Sequence, residues 1–167
     1  MVQISHAEKP ERIAIVCQLL SEHIATPGIL AFDAELASLP GAYGPPHGRL
    51  LLALVDEQPA GCVALRPQAD SALCEMKRLY VRPAYRGQQV GRALVIAIIA
   101  EARALGYQRM RLDTLPALRA AVHLYRASGF YGIPPYHAVP IPGAIYMELD
   151  LTRPPDATRS PRYDHAG

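Results

Sequence analysis

The 167-residue sequence predicts a mixed α/β or α+β fold, built on one largely antiparallel sheet with flanking helices. Two observations predict it. Apolar strand-like segments follow one another in the middle of the chain, and strand and helix patterns alternate after them. In addition, half of the residues are hydrophobic and only 19% are charged, which is typical of a globular protein. Disorder is therefore excluded for most of the chain.

The apolar periodicity and the glycines and prolines mark the individual elements. Pro83 ends the third strand of the middle run because proline cannot donate to a strand ladder. Gly106 is placed to end a long helix, and Pro116 to begin the next one. The predicted order is strand 2–5, helix 13–24, short helix 33–39, strands 49–56, 60–66 and 72–81, helix 88–105, strand 108–114, helix 116–129 and strand 144–151.

Residues 1–152 are expected to form a single domain, and residues 153–167 a flexible tail with almost nothing to bury. Three scattered cysteines without C-x-x-C spacing indicate reduced thiols in the cytoplasm. Charged residues stand where a signal peptide would need its apolar stretch, and no apolar run approaches the ~20 residues of a membrane span. We therefore expect a cytoplasmic protein that does not bind membranes.

Basic residues concentrate in one segment of this nearly neutral chain. The formal net charge of +2 is too small to indicate a nucleic-acid-binding protein. Residues 71–92, however, carry five basic side chains and one acidic side chain. This excess favours a site for an anion such as phosphate, and a solvated face is the alternative.

The segment EMKRLYVRPAYRGQQVGRAL joins a strand to a helix through a turn that contains Gly87 and Gly91. Helix N-termini carry unpaired N–H groups and a partial positive charge, and glycine lets a phosphate approach them closely. Arg86 and Arg92 add full charges at the same end. Neither P-loop nor Rossmann spacing occurs in the chain, so the turn predicts a phosphate site of another class.

This turn resembles the acetyl-CoA signature R/Q-x-x-G-x-G/A of the GCN5-related N-acetyltransferases, the GNAT family, with Gln89 where glycine is usual. A second segment, AAVHLYRASGF, resembles the family's A-x-x-L-Y-x-x-x-G-F helix, with Leu118 where asparagine is frequent. The resemblance extends over about residues 2–151 in element order, with its specific motifs between residues 75 and 130. It implies the GNAT fold and the transfer of an acetyl group from acetyl-CoA to a primary amine, by direct attack in a ternary complex.

The resemblance also implies roles for individual residues. Tyr125 matches the general acid that protonates the departing thiolate, and Glu75 matches the base that deprotonates the amine, with a water chain as the alternative base. Strand alternation would put Glu75 and Leu79 on one face. The alternatives are a core aromatic role for Tyr125 and, for Glu75, an exposed side chain paired with Lys77 or Arg109. The expected acetyl-CoA contacts are Leu79, Tyr80, Val81, Arg86, Gly87, Gln88, Gln89, Val90, Gly91 and Arg92.

No metal site is expected, because the six histidines lack the H-x-x-x-H and H-E-x-x-H spacings. His123 and His137 are candidates for lining an acceptor pocket, although structural or exposed roles are more common for single histidines. Cys74 is expected to be an inert packing thiol.

The expected acceptor is a small-molecule or peptide amine, and the family likeness is compatible with a homodimer. Tyr43, Tyr131 and Tyr136 are placed to form an aromatic wall beside it. Eight acidic residues within 1–70 suggest an acidic wall that would attract a cationic amine, and the alternative is that they solvate the first helix and the hairpin turn. An inactive or weakly active acetyl-CoA-binding regulatory module is the alternative function, because Gln89 and Leu118 depart from the family pattern.

Overall fold

The computed structural model describes residues 1–29 and 31–154. Its seven strands form one sheet in the order β1-β2-β3-β4-β5-β7-β6, with β4 and β5 parallel and the other neighbours antiparallel. The strands are β1 Val2–His6, β2 Arg49–Val55, β3 Gln58–Pro67, β4 Leu73–Val81, β5 Arg109–Thr114, β6 Tyr131–Ile133 and β7 Ile145–Asp150. The helices are α1 Pro10–Ile24, α2 Asp33–Ala37, α3 Val90–Ala104 and α4 Arg119–Ala127. The predicted fold class is confirmed.

Each face of the sheet is covered by a separate layer. Alternation along β2 sends Leu51 and Ala53 into the core beneath α3, and Leu50 and Leu52 into the core beneath α1. The two faces therefore differ in their partners: α3 and part of α4 cover one of them, and α1 with the segment around Phe32 and Tyr43 covers the other.

The structure differs from the prediction at the start of α4 and in one additional strand. Pro116 does not begin α4: it lies in a turn that is closed by a hydrogen bond from the Leu118 N–H to the Leu115 carbonyl, and the helix begins at Arg119. The short strand β6 was not predicted, because three residues that include Gly132 show no alternation. Of the predicted tail, residues 155–167 lie outside the described residues.

A bulge in β4 changes the direction of its side chains. Arg78 has a φ of +62°, and the pairing with β3 shifts between Cys62 and Ala64. As a result, Leu79 packs in the α3 layer, whereas Tyr80 packs in the α1 layer. The prediction that Glu75 and Leu79 share a face is wrong, because simple alternation does not continue through the bulge.

The two parallel strands pair only at their beginnings. Leu73–Glu75 of β4 pairs with Arg109–Arg111 of β5, and no further β4–β5 pairing is found in the described residues. β4 nevertheless continues to Val81 with β3 on its other side. The later half of β4 thus presents an unpaired backbone edge to a gap in the sheet.

Among the described residues, no helix combines the length and the apolar character needed to cross a lipid bilayer.

Candidate active site

A cleft of about 260 Å³ opens where β4 and β5 diverge. It passes from the α4 side of the sheet to the segment between α1 and α2, so a ligand could reach across the gap from either face. The cleft is lined by His23, Ile29, Ala31, Phe32, Met76, Lys77, Arg78, Leu79, Asp113, Thr114, Leu115, Leu118, Ala121, Tyr125 and Ile141.

The glycine turn lies at the end of β4, next to this cleft. Gly87 and Gln89 adopt φ values of +76° and +65°, and α3 begins at Val90. The Gln89 carbonyl accepts its helical hydrogen bond from Ala93, so the N–H groups of Val90, Gly91 and Arg92 precede the first intrahelical donor. These are the N–H groups that the sequence predicts as donors to a phosphate.

The φ of Gln89 explains why a glycine suits this position. A non-glycine residue in the left-handed region costs about 1 kcal/mol, and the chain accepts that cost here. The backbone turn is therefore formed although the glycine is replaced.

Gly91 brings the helix start against the wall of the cleft. A Cβ atom at Gly91 would lie 3.5 Å from Leu124 Cδ2 of α4 and 3.7 Å from Val81 Cγ2 of β4. Arg86 is held at the same turn, since its Nε donates to the Val81 carbonyl at 3.0 Å. The turn, the free edge of β4 and α4 are thus parts of one surface.

Tyr125 lies on the α4 wall of the cleft. Its side chain is 7% exposed and its ring meets Phe130 edge to face, with centroids 5.8 Å apart. Burial, assisted by the charge of Asp113, raises the pKa of the Tyr125 hydroxyl. The phenol therefore keeps its proton at neutral pH and can donate it to a developing anion.

Glu75 lies elsewhere than predicted. It is 1% exposed, it does not line the cleft, and neither Lys77 nor Arg109 is its recorded partner within the described residues. Oε1 accepts from Arg66 Nε at 2.8 Å and lies 2.6 Å from Arg66 Nη2, while Oε2 accepts from the Tyr136 hydroxyl at 2.5 Å. Glu75 is a buried, engaged carboxylate, so the alternative of an exposed glutamate paired with Lys77 or Arg109 is wrong.

His137 links Glu75 to the cleft. Its Nε2 lies 3.5 Å from Glu75 Oε2 and 3.6 Å from Asp113 Oδ1, and Asp113 is 3.2 Å from Lys77 Nζ. Asp113 does line the cleft, and the charge of Lys77 lowers its pKa against the opposing effect of burial. Glu75, Asp113 and His137 are close enough to hold a cation, but Arg66 and Lys77 already neutralise the two carboxylates.

The α1–α2 side of the cleft is aromatic and basic, not acidic. The Arg78 guanidinium lies 3.6 Å from the Phe32 ring centroid, and His23 packs on Tyr80 with centroids 5.1 Å apart. The expected acidic wall is not formed by the residues predicted for it. None of the eight acidic residues of 1–70 lines the cleft, and both Glu22 and Glu35 pair with arginines.

The three tyrosines predicted as an aromatic wall instead donate to carboxylates. Tyr43 donates to Glu35 at 2.6 Å, Tyr131 donates to Glu148 at 2.6 Å, and Tyr136 donates to Glu75. Cys74 is fully buried, and burial raises its pKa to about 12, as expected for an inert thiol.

The sequence did not point to Arg66, Arg78 or Asp113 as site residues. Asp113 stands in an alternating strand like many solvated residues, and Arg78 enters the cleft through the bulge. The run of basic residues in 71–92 was the available signal for Arg78, but it favours an anion site without pointing to any single arginine.

Comparisons with known proteins agree with this arrangement. The profile of the acetyltransferase (GNAT) family matches residues 18–130. An N-acetyltransferase of Schizosaccharomyces pombe is 42% identical, over 91% of this chain and 96% of the relative.

Solved structures show the same fold at low sequence identity. A GNAT acetyltransferase of Staphylococcus aureus aligns with a TM-score of 0.76 and 17% identity, over 90% of this chain and 99% of the other. An N-acetyltransferase of Thermoplasma acidophilum, solved in complex with coenzyme A, aligns with a TM-score of 0.69 and 17% identity, over the same shares of the two chains. The family match, the close relative and the diverging parallel strands agree, and the chain belongs to the GNAT family of acetyltransferases.

Proposed function

We propose that the protein transfers the acetyl group of acetyl-CoA to a primary amine by direct attack in a ternary complex. The observation that carries the proposal is the continuity of the cleft: it joins the unpaired edge of β4 and the wall that carries Tyr125 to the α1–α2 segment. A cofactor and an acceptor can therefore meet in the gap between β4 and β5.

The cofactor would lie along the edge of β4 and end at the glycine turn. The amides of a pantetheine arm can pair with the backbone of Leu79–Val81, as an added strand would. The pyrophosphate would accept hydrogen bonds from the N–H groups that begin α3, with Arg86 and Arg92 close to its charge. Acetyl-CoA is thus a co-substrate, and no step requires a metal.

Tyr125 would protonate the departing thiolate. A neutral, buried phenol at the α4 wall can stabilise a sulfur anion that forms beside it, without the cost of first rearranging water. The Tyr125 hydroxyl stabilises the sulfur anion only from the transition state onward. It should therefore raise kcat.

Glu75 would act on the amine through His137 and not by direct contact. A glutamate that is 1% exposed and bonded to Arg66 and Tyr136 is closed to a substrate, whereas His137 is 28% exposed and lies between both carboxylates. Histidine is the most common general base in enzymes. We therefore assign proton removal to His137 and its orientation to Glu75.

The first experiment separates an enzyme from a regulatory module that only binds the cofactor. Thermal unfolding is followed with and without acetyl-CoA, and thiol release is then measured with a panel of amines, amino acids and peptide N-termini. Stabilisation by acetyl-CoA together with amine-dependent thiol release is the expected result. Stabilisation without thiol release from any acceptor would favour the regulatory module.

A second experiment tests the path of the proton. His137→Gln should lower kcat/KM for the acceptor by about 10²-fold. His123→Gln is the matched control, because His123 lies exposed on α4 and should leave the rate unchanged. An unchanged rate in His137→Gln would exclude His137 as the base.

The three cysteines are unpaired, which agrees with the cytoplasmic location that we propose.

A further inference from the structure

Arg78 combines three properties that few surface arginines share. It lines the cleft, its side chain is only 19% exposed, and its backbone is held in the left-handed region at the bulge of β4. Strained backbone of this kind persists where the surrounding structure fixes it, and it is common at ligand sites. The bulge therefore places this side chain in the cleft and not along a regular strand.

The guanidinium is fixed on two sides. Nε donates to Glu35 Oε2 at 2.6 Å, and the plane of the group stacks on the Phe32 ring at 3.6 Å. Glu35 is itself held by the Tyr43 hydroxyl and lies 3.8 Å from Arg66. In the part of the chain that the structure describes, Nε is the only side-chain nitrogen of Arg78 that donates a hydrogen bond. The two terminal nitrogens form a preorganised fork.

The charges that line the cleft favour an anion at this fork. Lys77 and Asp113 compensate each other at 3.2 Å, and Arg78 is the one further charged side chain of the lining. Glu35, which does not line the cleft, neutralises the charge of Arg78. The same carboxylate also lies 3.8 Å from Arg66. His23 lies on the same wall, and burial, followed by the charges of Arg78 and Arg86, lowers its pKa to about 4, so it adds no positive charge at neutral pH.

We propose that Arg78 recognises a carboxylate on the acceptor, so that the substrates are amines that also carry a carboxylate, such as amino acids. This inference rests on the proposed function and names its substrate class. The carboxylate would bind the terminal nitrogens of Arg78 in two parallel hydrogen bonds. Ile29, Ala31 and Phe32 beside it would contact an apolar side chain of the acceptor.

The orientation follows from the residues that line the two walls of the cleft. With its carboxylate on Arg78 of β4, the acceptor lies on the α1–α2 side and can direct its amine across the gap toward Tyr125 and Asp113. The cofactor approaches from the α4 side, so the two ligands do not compete for one wall. Arg78 is a specificity-determining residue in this arrangement and takes no part in proton transfer.

The test compares amino acids with their own α-amides as acceptors for wild type, Arg78→Gln and Arg82→Gln. Each pair shares its side chain and amine, and rates are corrected for the fraction of neutral amine. Arg82 is the matched control, because it is also a partly buried arginine bonded to a glutamate, Glu22, but it does not line the cleft. We expect wild type to favour the carboxylate by tenfold or more in kcat/KM.

Arg78→Gln should bring this ratio close to one, mainly by raising KM for the carboxylated acceptor, and Arg82→Gln should preserve it. Equal rates for acids and amides in wild type would overturn the inference and leave the proposed function intact. The same acceptors are also titrated into protein loaded with CoA. Carboxylate-selective binding that depends on Arg78 but never leads to thiol release would support the inference and refute the proposed function; absence of both would overturn both.

Discussion

His23 should make the folded protein less stable as the pH falls below neutrality. Burial against Tyr80 and Phe32, and then the charges of Arg78 and Arg86, lower its pKa from 6.5 to about 4. Between these values the unfolded chain binds a proton that the folded ring does not. Above pH 6.5 the titration of His23 therefore does not affect the free energy of unfolding. As the pH falls toward 4, it lowers this free energy progressively.

The magnitude follows from the two pKa values. At pH 5 almost all unfolded chains carry the proton on His23, but only about a tenth of the folded molecules do, a difference of about 2 kcal/mol relative to pH 7.5. Because the ring is partly exposed, water screens the neighbouring charges, and we expect roughly 1 kcal/mol. For a domain of this size that corresponds to about 3 °C in Tm.

Urea unfolding of wild type and His23→Gln at pH 7.5 and pH 5.0 measures this effect, since the titration of the carboxylates cancels in the difference. Wild type should lose about 1 kcal/mol more than the variant. His6→Gln gives the opposite sign: a hydrogen bond to Glu101 raises the pKa of His6, so its stabilisation is full below pH 6.5 and is lost as the pH rises through the raised value. Equal pH dependence in wild type and His23→Gln would refute the reasoning.

Three further substitutions test the site. Tyr125→Phe should lower kcat by about 10²-fold with little change in KM for acetyl-CoA, and an unchanged kcat under rate-limiting chemistry would leave Tyr125 as a packing residue. Gly91→Asp should weaken acetyl-CoA binding about tenfold in calorimetry through its charge; the uncharged Gly91→Asn is the control, and equal losses in both would point to bulk instead. Glu75→Gln should lower the free energy of unfolding by about 2 kcal/mol in thermal denaturation, because Arg66 loses its buried partner, and an unchanged Tm would contradict that pairing.

Much of the fold could be predicted because its elements are local patterns. Branched apolar runs predicted β2 and β3, helical spacing predicted α1 and α3, and the glycine turn between β4 and α3 was found from its residues alone. These features depend on neighbours within a few positions. The short strand β6 could not be predicted from neighbouring residues, because it is a strand through its pairing with β7 and not through its own sequence.

The acceptor side could not be predicted in the same way, because it depends on pairs that are distant in the chain. Tyr136 meets Glu75 across 61 positions, and Arg78 meets Glu35 across 43. A charge count over residues 1–70 treats Glu22 and Glu35 as free carboxylates, whereas in the fold each one neutralises an arginine. The predicted acidic wall failed for this reason: the count contained no information about partners.

The bulge at Arg78 shows how one residue can reassign a site. Without it, alternation along β4 would keep Glu75 and Leu79 on one face, and residues 78 and 80 together on the other. With the extra residue, Leu79 packs in the α3 layer and Arg78 lines the cleft. Glu75 lies next to His137 instead of sharing a face with Leu79. The same backbone step that separates Glu75 from Leu79 thus brings into the cleft the cation that we propose as the selector of the substrate, and this placement depends on a φ value that no periodic pattern encodes.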